Sequence, residues 1–363
     1  MTMKLPIPDY IKGIAPYVPG KPIEELEREY GVSNSIKLAS NENPLGPSPK
    51  ALAAIGAATA KLHRYPDGAG YELTQRLSNY WKISPSQIVL GNGSDDLLGM
   101  LARILLQPGD EVLVPDPSFL MYTIVAQSAG AIPVKIPLKD LAIDLEGILD
   151  KVGPHTRMIF ICNPNNPTGT VVGRSEFEAF LSALPQDVLV VVDEAYYEFV
   201  RDSRCASGIS FLGSKPMVAT LRTFSKAYGL AGLRVGYGVM DAALAELLQR
   251  VRMPFNVNSL AQVGATAALD DEAFLKKSLE VVHQGLDFLY AQLKKRGLRS
   301  YASQANFFLI DVQRPADEVF ERLLHHGVIV RSMRAYGYPR FIRLSVGLPE
   351  ENQRFLTALD QVL

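Results

Sequence analysis

The sequence predicts an α/β protein with a mostly parallel seven-stranded sheet sandwiched between helices, together with a smaller α+β domain. The first observation is a set of short runs rich in β-branched residues. Several of them are apolar without alternation, as strands covered on both faces are. The second observation is that helical patterns, such as those at 95–106, 175–184 and 241–251, lie between these runs. The runs are QIVL (87–90), EVLVP (111–115), IPVKI (132–136), RMIFIC (157–162), VLVVVD (188–193), MVATL (217–221) and RVGYGV (234–239).

The pattern changes after about residue 256. A long helical stretch over roughly 259–296 leads into NFFLIDV (306–312), a further helix and the strand-like segments VIVRSM and FIRLSVG. Short strands mixed with helices in this way indicate a separate α+β unit. We therefore expect three parts: an N-terminal arm and helix in 1–35 that packs with the small domain, a large domain in 36–255, and a small C-terminal domain in 256–363.

The composition argues against several classes of protein. The formal net charge is -1 and no lysine- and arginine-rich block lies beside aromatic residues, so we expect no nucleic-acid binding. Two cysteines, Cys162 and Cys205, are too few for a disulfide framework or a cysteine-rich metal site, which favours a cytoplasmic protein without a metal. Prolines and charges interrupt the first 22 residues, and no run of about 18 apolar residues occurs, so we expect neither a secretory signal nor a membrane span.

The stretch TFSKAYGLAGLRVGY (223–237) places one lysine, Lys226, among small and aromatic residues, with Arg234 as the next charge. One interpretation is a glycine-rich surface loop. The alternative is a lysine in a partly desolvated pocket, where burial lowers its pKa and makes the amine nucleophilic.

Polar groups also follow the other predicted strands, at the edge where ligands bind in open α/β sheets. GNGSDD (91–96) follows QIVL and opens a helix, so it is either a capped turn or a cradle for a phosphate. Asp193 ends VLVVV, where a carboxylate is either a helix cap or the buried partner of another group. Asn166, Tyr196 and Phe119 add an amide, a phenol and an aromatic ring at the same edge.

Together these groups match the requirements of pyridoxal 5'-phosphate. This cofactor needs a lysine that condenses with its aldehyde and an acid that keeps its pyridine nitrogen protonated. GNGSDD lacks the third glycine of a dinucleotide motif and the Gly-Lys-Ser/Thr of a P-loop, so neither a dinucleotide nor a nucleoside triphosphate is favoured.

Four segments resemble the signatures of the fold-type I pyridoxal-phosphate aminotransferases: SKAYGLAGLRVGY, NPNNPTG, DEAYYEF and GNGSDD. LASNENPLGPSP (38–49) and HRYPDGAGYELT (63–74) narrow the resemblance to the histidinol-phosphate aminotransferase branch. The similarity extends from Tyr17 to the RLSVG strand, and its motifs are more specific for the cofactor than for the substrate.

The resemblance implies roles for individual residues. Lys226 corresponds to the lysine that bonds to the cofactor, and Asp193 to the acid that pairs with the pyridine nitrogen. Tyr196 and Asn166 match the pair that hydrogen-bonds the phenolic oxygen of the cofactor. We expect Tyr196, like Lys226 and Asp193, to be catalytic. Phe119 stands where the family often has tyrosine, so it keeps the ring stack and loses a hydroxyl. The phosphate site corresponds to Gly93, Ser94, Asp95, Thr223, Ser225 and Arg234.

The resemblance also implies a homodimer with shared active sites, because Tyr65 matches a residue that reaches the cofactor phosphate of the partner subunit. Arg331 and Arg343 lie on strand-like segments, where each is either an edge-strand charge or, as in the family, an arginine directed into the active site. Tyr17 and Asn43 resemble residues that line the same substrate pocket.

The favoured function is amino transfer from histidinol phosphate to 2-oxoglutarate, a step of histidine biosynthesis. Three alternatives stay open from the sequence. They are an aromatic amino acid aminotransferase, a threonine-phosphate decarboxylase that releases carbon dioxide, and a non-catalytic ligand sensor. The complete set of lysine, acid and arginine argues against the sensor.

Overall fold

The computed structural model describes residues 5–363, so the first four residues of the expected N-terminal arm lie outside the described chain. The helices are α1 (Asp9–Lys12), α2 (Ile23–Tyr30), α3 (Pro49–Ala58), α4 (Tyr71–Trp81), α5 (Ser94–Leu105), α6 (Met121–Ser128), α7 (Leu145–Leu149), α8 (Arg174–Ala183), α9 (Ala242–Val251), α10 (Ser259–Leu269), α11 (Glu272–Lys295), α12 (Ala316–His325) and α13 (Pro349–Val362). The strands are β1 (Ile36–Lys37), β2 (Ile88–Gly91), β3 (Glu111–Asp116), β4 (Ile132–Pro137), β5 (Thr156–Cys162), β6 (Leu189–Asp193), β7 (Val218–Thr223), β8 (Gly236–Val239), β9 (Arg299–Ser300), β10 (Phe307–Asp311), β11 (Val328–Ile329), β12 (Arg331–Ser332) and β13 (Phe341–Ser345).

The main sheet has seven strands in the order β2-β8-β7-β6-β5-β3-β4. Strand β8 runs antiparallel to both of its neighbours, and the four remaining pairs are parallel. Each strand coincides with one of the predicted runs, so the predicted mostly parallel sheet is confirmed. The seventh run begins late, at Gly236, because Arg234 has a left-handed φ of 56° and cannot continue a strand.

Helices cover both faces of this sheet. On one face α5, α6 and α9 pack on the strands through a cluster that includes Leu97, Tyr122 and Leu244. On the other face α7 and α8 pack through Ile148 and Phe177. All five residues of β6 are buried as a result, which explains why the central runs are apolar without alternation.

A second sheet contains four antiparallel strands in the order β12-β13-β10-β9. Its side chains share a core with α11 and α13, in which Leu286, Phe308 and Phe355 are fully buried. The helix expected within residues 1–35 is α2, and its Leu26 packs with Leu324. Helix α10, which the expected division assigns to the small domain, packs instead on α3 and α4. The domain limits therefore stay predictions.

The helical stretch expected over 259–296 is in fact two helices, α10 and α11. Asp271 interrupts it because its backbone is non-helical and its carboxylate caps α11 by accepting a bond from the Phe274 N–H at 3.4 Å. The same carboxylate accepts a 2.6 Å bond from the Ser48 hydroxyl, which ties α11 to the start of α3. Neither α11 nor any other helix in residues 5–363 is long and apolar enough to cross a membrane.

Replacing Asp271 by alanine should lower the free energy of unfolding by about 1–2 kcal/mol, because the variant loses the cap and leaves the Ser48 hydroxyl without its acceptor. Urea unfolding of the purified protein measures this loss. Asp271→Asn is the matched control, since asparagine caps a helix as well as aspartate does. An alanine variant as stable as the wild type would show that Asp271 does not cap α11.

Candidate active site

A cavity of about 290 Å³ opens at the carboxyl ends of β5, β6 and β7 and reaches across to β13. Its walls combine three separate parts of the chain: the strand ends of the main sheet, the segment that follows β1, and the second sheet. Most of the residues expected from the sequence line it: Tyr17, Ser94, Asp95, Phe119, Asn166, Asp193, Tyr196, Thr223, Ser225, Lys226, Arg234, Arg331 and Arg343.

Lys226 lies three residues beyond the end of β7, with its amine inside the cavity. The ammonium donates a 3.0 Å hydrogen bond to the carbonyl oxygen of Ser40 and lies 5.8 Å from the centre of the Tyr196 ring. Burial, followed by the positive charge of Arg343, lowers the pKa of Lys226 to about 8. About a tenth of this lysine is therefore an uncharged, nucleophilic amine at pH 7, roughly a few hundred times the fraction expected for an ordinary lysine. The surface-loop interpretation does not apply.

Asp193 ends β6 and is almost completely buried. One of its oxygens accepts a 2.8 Å bond from the Tyr122 hydroxyl, and the other accepts a 3.1 Å bond from the Ala195 N–H. Burial raises the pKa of Asp193 to about 6, and the bond from Tyr122 opposes that shift. Within residues 5–363, no lysine, arginine or histidine forms an ion pair with it. The carboxylate can therefore accept a cationic or N–H group that enters the cavity.

An anion cradle forms where α5 begins. Gly93 has a φ of 78° and precedes the helix without a side-chain cap, and the first two helical residues, Ser94 and Asp95, line the cavity with amides that have no intrahelical acceptor. The Arg234 guanidinium lies 3.6 Å from the Asp95 carboxylate. A Cβ atom at Gly93 would come within 2.7 Å of that guanidinium, so the close approach requires glycine.

Two hydroxyl groups complete this cradle. The Thr223 hydroxyl donates a 2.9 Å bond to Ser225 and accepts a 3.1 Å bond from the Ser225 N–H. Both side chains are buried and line the cavity. Helix amides, hydroxyls and a guanidinium together are the donors that bind a phosphate.

The Tyr196 hydroxyl accepts hydrogen bonds from two amides, Asn41 Nδ2 at 3.0 Å and Asn166 Nδ2 at 3.4 Å. Because both bonds use its lone pairs, the phenolic proton is free to be donated to a ligand. Burial raises the pKa of Tyr196, so the proton stays on the oxygen at neutral pH. Asn166 also accepts a 2.5 Å bond from Arg343 through its own oxygen.

Arg343 extends from β13 and is buried without a carboxylate partner in the described chain. Its guanidinium donates to the Asn166 oxygen and to the Ala39 carbonyl, the latter at 2.6 Å, while its Nε has no hydrogen-bond partner. Arg331 lines the same end of the cavity and donates a 2.9 Å bond to the Val18 carbonyl. Two guanidinium groups at one end, both bonded to neutral acceptors, can bind an anionic group.

Phe119 and Tyr17 form an aromatic wall, with ring centres 6.5 Å apart in an edge-to-face arrangement. Tyr17 is half exposed at the mouth of the cavity, on the segment between α1 and α2. A flat ring that enters between Asp193 and Lys226 would meet the Phe119 side of this wall.

The structure does not bring Tyr65 or Asn43 to the cavity. Tyr65 is 82% exposed and stacks on Phe255 with ring centres 4.7 Å apart. Asn43 is buried, but its amide is bonded to the Ala227 carbonyl at 2.9 Å and to the Ser278 hydroxyl at 3.0 Å. The expectation that Asn43 lines the substrate pocket is therefore corrected: it anchors the loop that carries Lys226.

Asn41 and Tyr122 are site residues that the sequence interpretation missed. Asn41 has a left-handed φ of 56°, which turns its side chain toward Tyr196, whereas Asn43 two residues later points into the core. Both asparagines lie in the NEN motif, but an irregular segment has no periodicity that would show which asparagine faces the site. Tyr122 follows Phe119 by three residues, one helical turn, and this spacing was the available signal.

Comparison with known proteins agrees with this geometry. The sequence pattern of the family described as aminotransferase class I and II matches residues 33–359. A histidinol-phosphate aminotransferase of Desulfotalea psychrophila is 49% identical over 100% of this chain and 97% of its own length. Histidinol-phosphate aminotransferase 1 of Nitrosococcus oceani is 50% identical over 97% of this chain and 95% of its own length.

Solved structures give the same result. The histidinol-phosphate aminotransferase of Sinorhizobium meliloti, crystallised with pyridoxal-5'-phosphate, superposes with a TM-score of 0.91 at 30% identity and covers 98% of this chain and 97% of its own. An aspartate aminotransferase of Thermus thermophilus, at 24% identity and a TM-score of 0.85 over 98% of this chain and 99% of its own, shares the fold. The chain therefore belongs to the class I and II aminotransferases, with histidinol-phosphate aminotransferases among its near relatives.

Proposed function

We propose that this protein is a pyridoxal-phosphate-dependent aminotransferase that converts histidinol phosphate and 2-oxoglutarate to imidazole acetol phosphate and glutamate, a step of histidine biosynthesis. The names of its near relatives support this reaction. The observation that carries the proposal is Arg343, a buried arginine without a carboxylate partner, in the cavity that also holds Lys226 and Asp193.

The residues present fit the cofactor. Asp193 is a buried acid whose partners are neutral, as a protonated pyridine nitrogen requires. The cradle at the start of α5, with Arg234 and the hydroxyls of Thr223 and Ser225, suits a phosphate. The free proton of Tyr196 suits a phenolic oxygen, and Phe119 supplies a ring for stacking. When bound, the cofactor supplies an electron sink for the negative charge that develops on the substrate carbon.

Within this site Lys226 is the group that moves a proton. Its depressed pKa lets the uncharged amine accept a proton from the substrate carbon and return it at a neighbouring carbon. The Ser40 carbonyl and the Tyr196 ring hold the amine at the cavity floor. Asp193 would pair with the pyridine nitrogen of the bound cofactor, and Tyr122 holds that carboxylate in place through its hydroxyl.

Arg343 and Arg331 hold the anionic end of the substrate. Histidinol phosphate has no carboxylate, so its phosphate occupies the position that a carboxylate of glutamate takes in the other half-reaction. A guanidinium accepts either group in a bidentate arrangement. Tyr17, at the cavity mouth, lies on the same side as Arg331 and contacts the remainder of the substrate.

We infer a homodimer in the cytoplasm. Tyr65 is exposed in the single chain and stacks on Phe255, and several other large apolar side chains of residues 52–71 and 253–255 are also exposed, which supports a subunit interface that includes these segments. They are Leu52, Leu62, Tyr71, Met253 and Phe255.

The substrate assignment is tested by comparing histidinol phosphate with histidinol, which lacks the phosphate, using glutamate formation as the readout. The wild type should prefer histidinol phosphate strongly. Arg343→Lys should weaken both half-reactions by about 1.5–3 kcal/mol for each charge-assisted hydrogen bond removed, because an ammonium cannot reproduce the planar fork. Equal use of both substrates, or a preference for phenylalanine, would favour an aromatic amino acid aminotransferase. Release of carbon dioxide from threonine phosphate without an oxo acid would favour the decarboxylase.

Asp193→Asn tests the buried acid in two ways. In the cofactor-free protein the folded pKa of about 6 lies above the unfolded value of 3.8, so ionised Asp193 destabilises the fold as pH rises through this interval. The asparagine variant should therefore gain stability relative to the wild type between pH 4 and 7, by about 3 kcal/mol for a shift of this size. Urea unfolding at several pH values measures the gain.

With the cofactor bound, the wild type should be more stable than the asparagine variant, because an amide cannot stabilise a protonated pyridine. Turnover of the variant should fall by orders of magnitude for the same reason. A stability difference that does not change with pH, together with near-normal turnover, would mean that Asp193 acts only as a structural cap.

Mixing two inactive proteins, Lys226→Ala and Tyr65→Phe, tests the shared site, provided that subunit exchange is demonstrated. If Tyr65 acts on the partner's site, a mixed dimer carries one site with both substitutions and one site with neither. Activity should then return in part. No recovery after complete exchange would place Tyr65 outside the neighbouring site.

A further inference from the structure

A buried cluster of charged side chains lies directly behind the cavity, on the reverse face of β6 and β7. We call Glu194, Glu198 and Arg222 the reverse-face cluster. The Arg222 guanidinium is sandwiched between the rings of Trp81, 4.6 Å away, and Tyr197, 4.3 Å away. None of these residues contributes to the cavity described above.

The central contact of the cluster is an ion pair. Arg222 Nε donates a 2.8 Å bond to a Glu194 oxygen, and Arg222 Nη2 lies 2.6 Å from the same oxygen without forming a hydrogen bond. The other Glu194 oxygen accepts a 2.6 Å bond from the Gly208 N–H. Arg222 Nη1 is also bonded to Glu198 at 3.2 Å. The side chains of Arg222 and Glu194 are 2% and 0% exposed, so water does not screen their pairing.

The ion pair joins the two strand ends that carry the proposed catalytic groups. Glu194 directly follows Asp193, and its backbone N–H bonds to the Leu221 carbonyl of β7 at 2.9 Å. Arg222 is the second-last residue of β7, four residues before Lys226. Successive side chains alternate between faces, so Asp193 points to Tyr122 while Glu194 points to Arg222.

Stability alone does not explain these charges. A buried ion pair roughly balances its own desolvation and is often matched by apolar residues of similar volume. Here two carboxylates share one guanidinium, and burial raises the pKa of both Glu194 and Glu198. The pair does fix the orientation of Glu194. One carboxylate oxygen accepts from Arg222 Nε and the other from the Gly208 N–H, which restricts the side chain more narrowly than apolar packing does.

We propose that Glu194 and Arg222 are positioning residues for the reaction: their ion pair holds the ends of β6 and β7 in register, so that Asp193 and Lys226 meet in the same cavity. Glu198 lies on the turn at Tyr197–Phe199, beyond the strand end, and assists Arg222 without joining the strands. Arg343 and Arg331 come from the second sheet, so the anion site does not depend on the pair.

The inference rests on the proposed function only for its turnover measurement. The chemistry of Lys226 can be followed in the cofactor-free protein, without any activity. Brief acetylation with acetic anhydride at several pH values, quantified at Lys226 by peptide mass spectrometry, gives the pH midpoint of its amine. The wild type should show a midpoint near pH 8.

Glu194→Gln should raise the midpoint of Lys226 by at least one pH unit, because a displaced strand end admits water to the amine. Labelling below the midpoint then falls about tenfold, since one pKa unit is a tenfold change in the uncharged fraction. In the active protein, kcat should fall by about tenfold or more, with little change in the KM for histidinol phosphate. If Glu194→Gln does not fold, Arg222→Lys, which keeps the charge and loses the Nε hydrogen bond to Glu194, takes its place with the same expected shift.

Two controls separate positioning from stability. Glu198→Gln removes a carboxylate from Arg222 but leaves the bridge between the strands, so the Lys226 midpoint and kcat should stay close to wild type. Leu359→Ala opens a cavity in the fully buried core around α13 and destabilises the fold away from the site. If Glu194→Gln lowers stability but leaves the Lys226 midpoint and kcat unchanged, or if Leu359→Ala shifts the midpoint equally, the pair is only structural and the proposal is wrong. A wild type without transaminase activity would overturn the proposed function, while the labelling result would still decide this inference.

Discussion

The structure depends on keeping two ionisable groups, Lys226 and Asp193, buried in one cavity, where neither has an ion-pair partner among residues 5–363. Each group is shifted toward its uncharged form: burial lowers the pKa of the lysine to about 8 and raises that of the aspartate to about 6. Such burial costs free energy, and packing elsewhere in the fold must offset that cost. The almost entirely buried strands β5, β6 and β7 and the helices on both faces provide that support, because their burial against each other fixes the positions of the strand ends.

The same constraint explains why distant segments converge on the site. Tyr196, at the end of β6, is bonded to Asn41, and Asn41 exchanges two bonds with Ser345 of β13, at 2.9 Å and 2.8 Å. The chain after β1 is therefore fixed between the main sheet and the second sheet. Arg343, also on β13, bonds to Asn166 and to the Ala39 carbonyl. A ligand in the cavity thus contacts groups whose positions are already set by neutral hydrogen bonds, which limits the entropy lost on binding.

Much of this arrangement was predictable from the sequence, and the failures have physical reasons. Continuous apolar runs indicated strands covered on both faces, and polar residues at their ends indicated a ligand site, because both signals are local. The choice of Asn43 over Asn41 failed because a left-handed residue reverses the side-chain direction, and nothing in NEN shows which residue adopts it. Tyr122 resembled an ordinary core aromatic residue, since its hydroxyl bonds to Asp193, a residue 71 positions away in the chain.

The cap at Asp271 was missed for a related reason. An aspartate within a helical pattern can be an exposed helical residue or an N-cap. Asp271 is an N-cap, and its carboxylate also contacts Ser48, which is 223 residues away in the chain. Interactions over such separations depend on the completed fold. Local patterns could therefore predict which elements form and which strand ends carry the chemistry, but not which neighbouring polar residue completes each contact.

The charges around Lys226 give the site a further property that follows from Coulomb's law. Arg343 lowers the proton affinity of the lysine from one side and Arg234 does so more weakly from the other. An anion bound at either arginine offsets part of that repulsion, so the proton affinity of Lys226 rises when the cradle at α5 and the arginine end of the cavity are filled. An amine whose pKa is about 8 in the empty site thereby becomes a stronger base once an anionic substrate is in place. The two anion sites therefore do more than hold a ligand at each end, because they also adjust the base that lies between them.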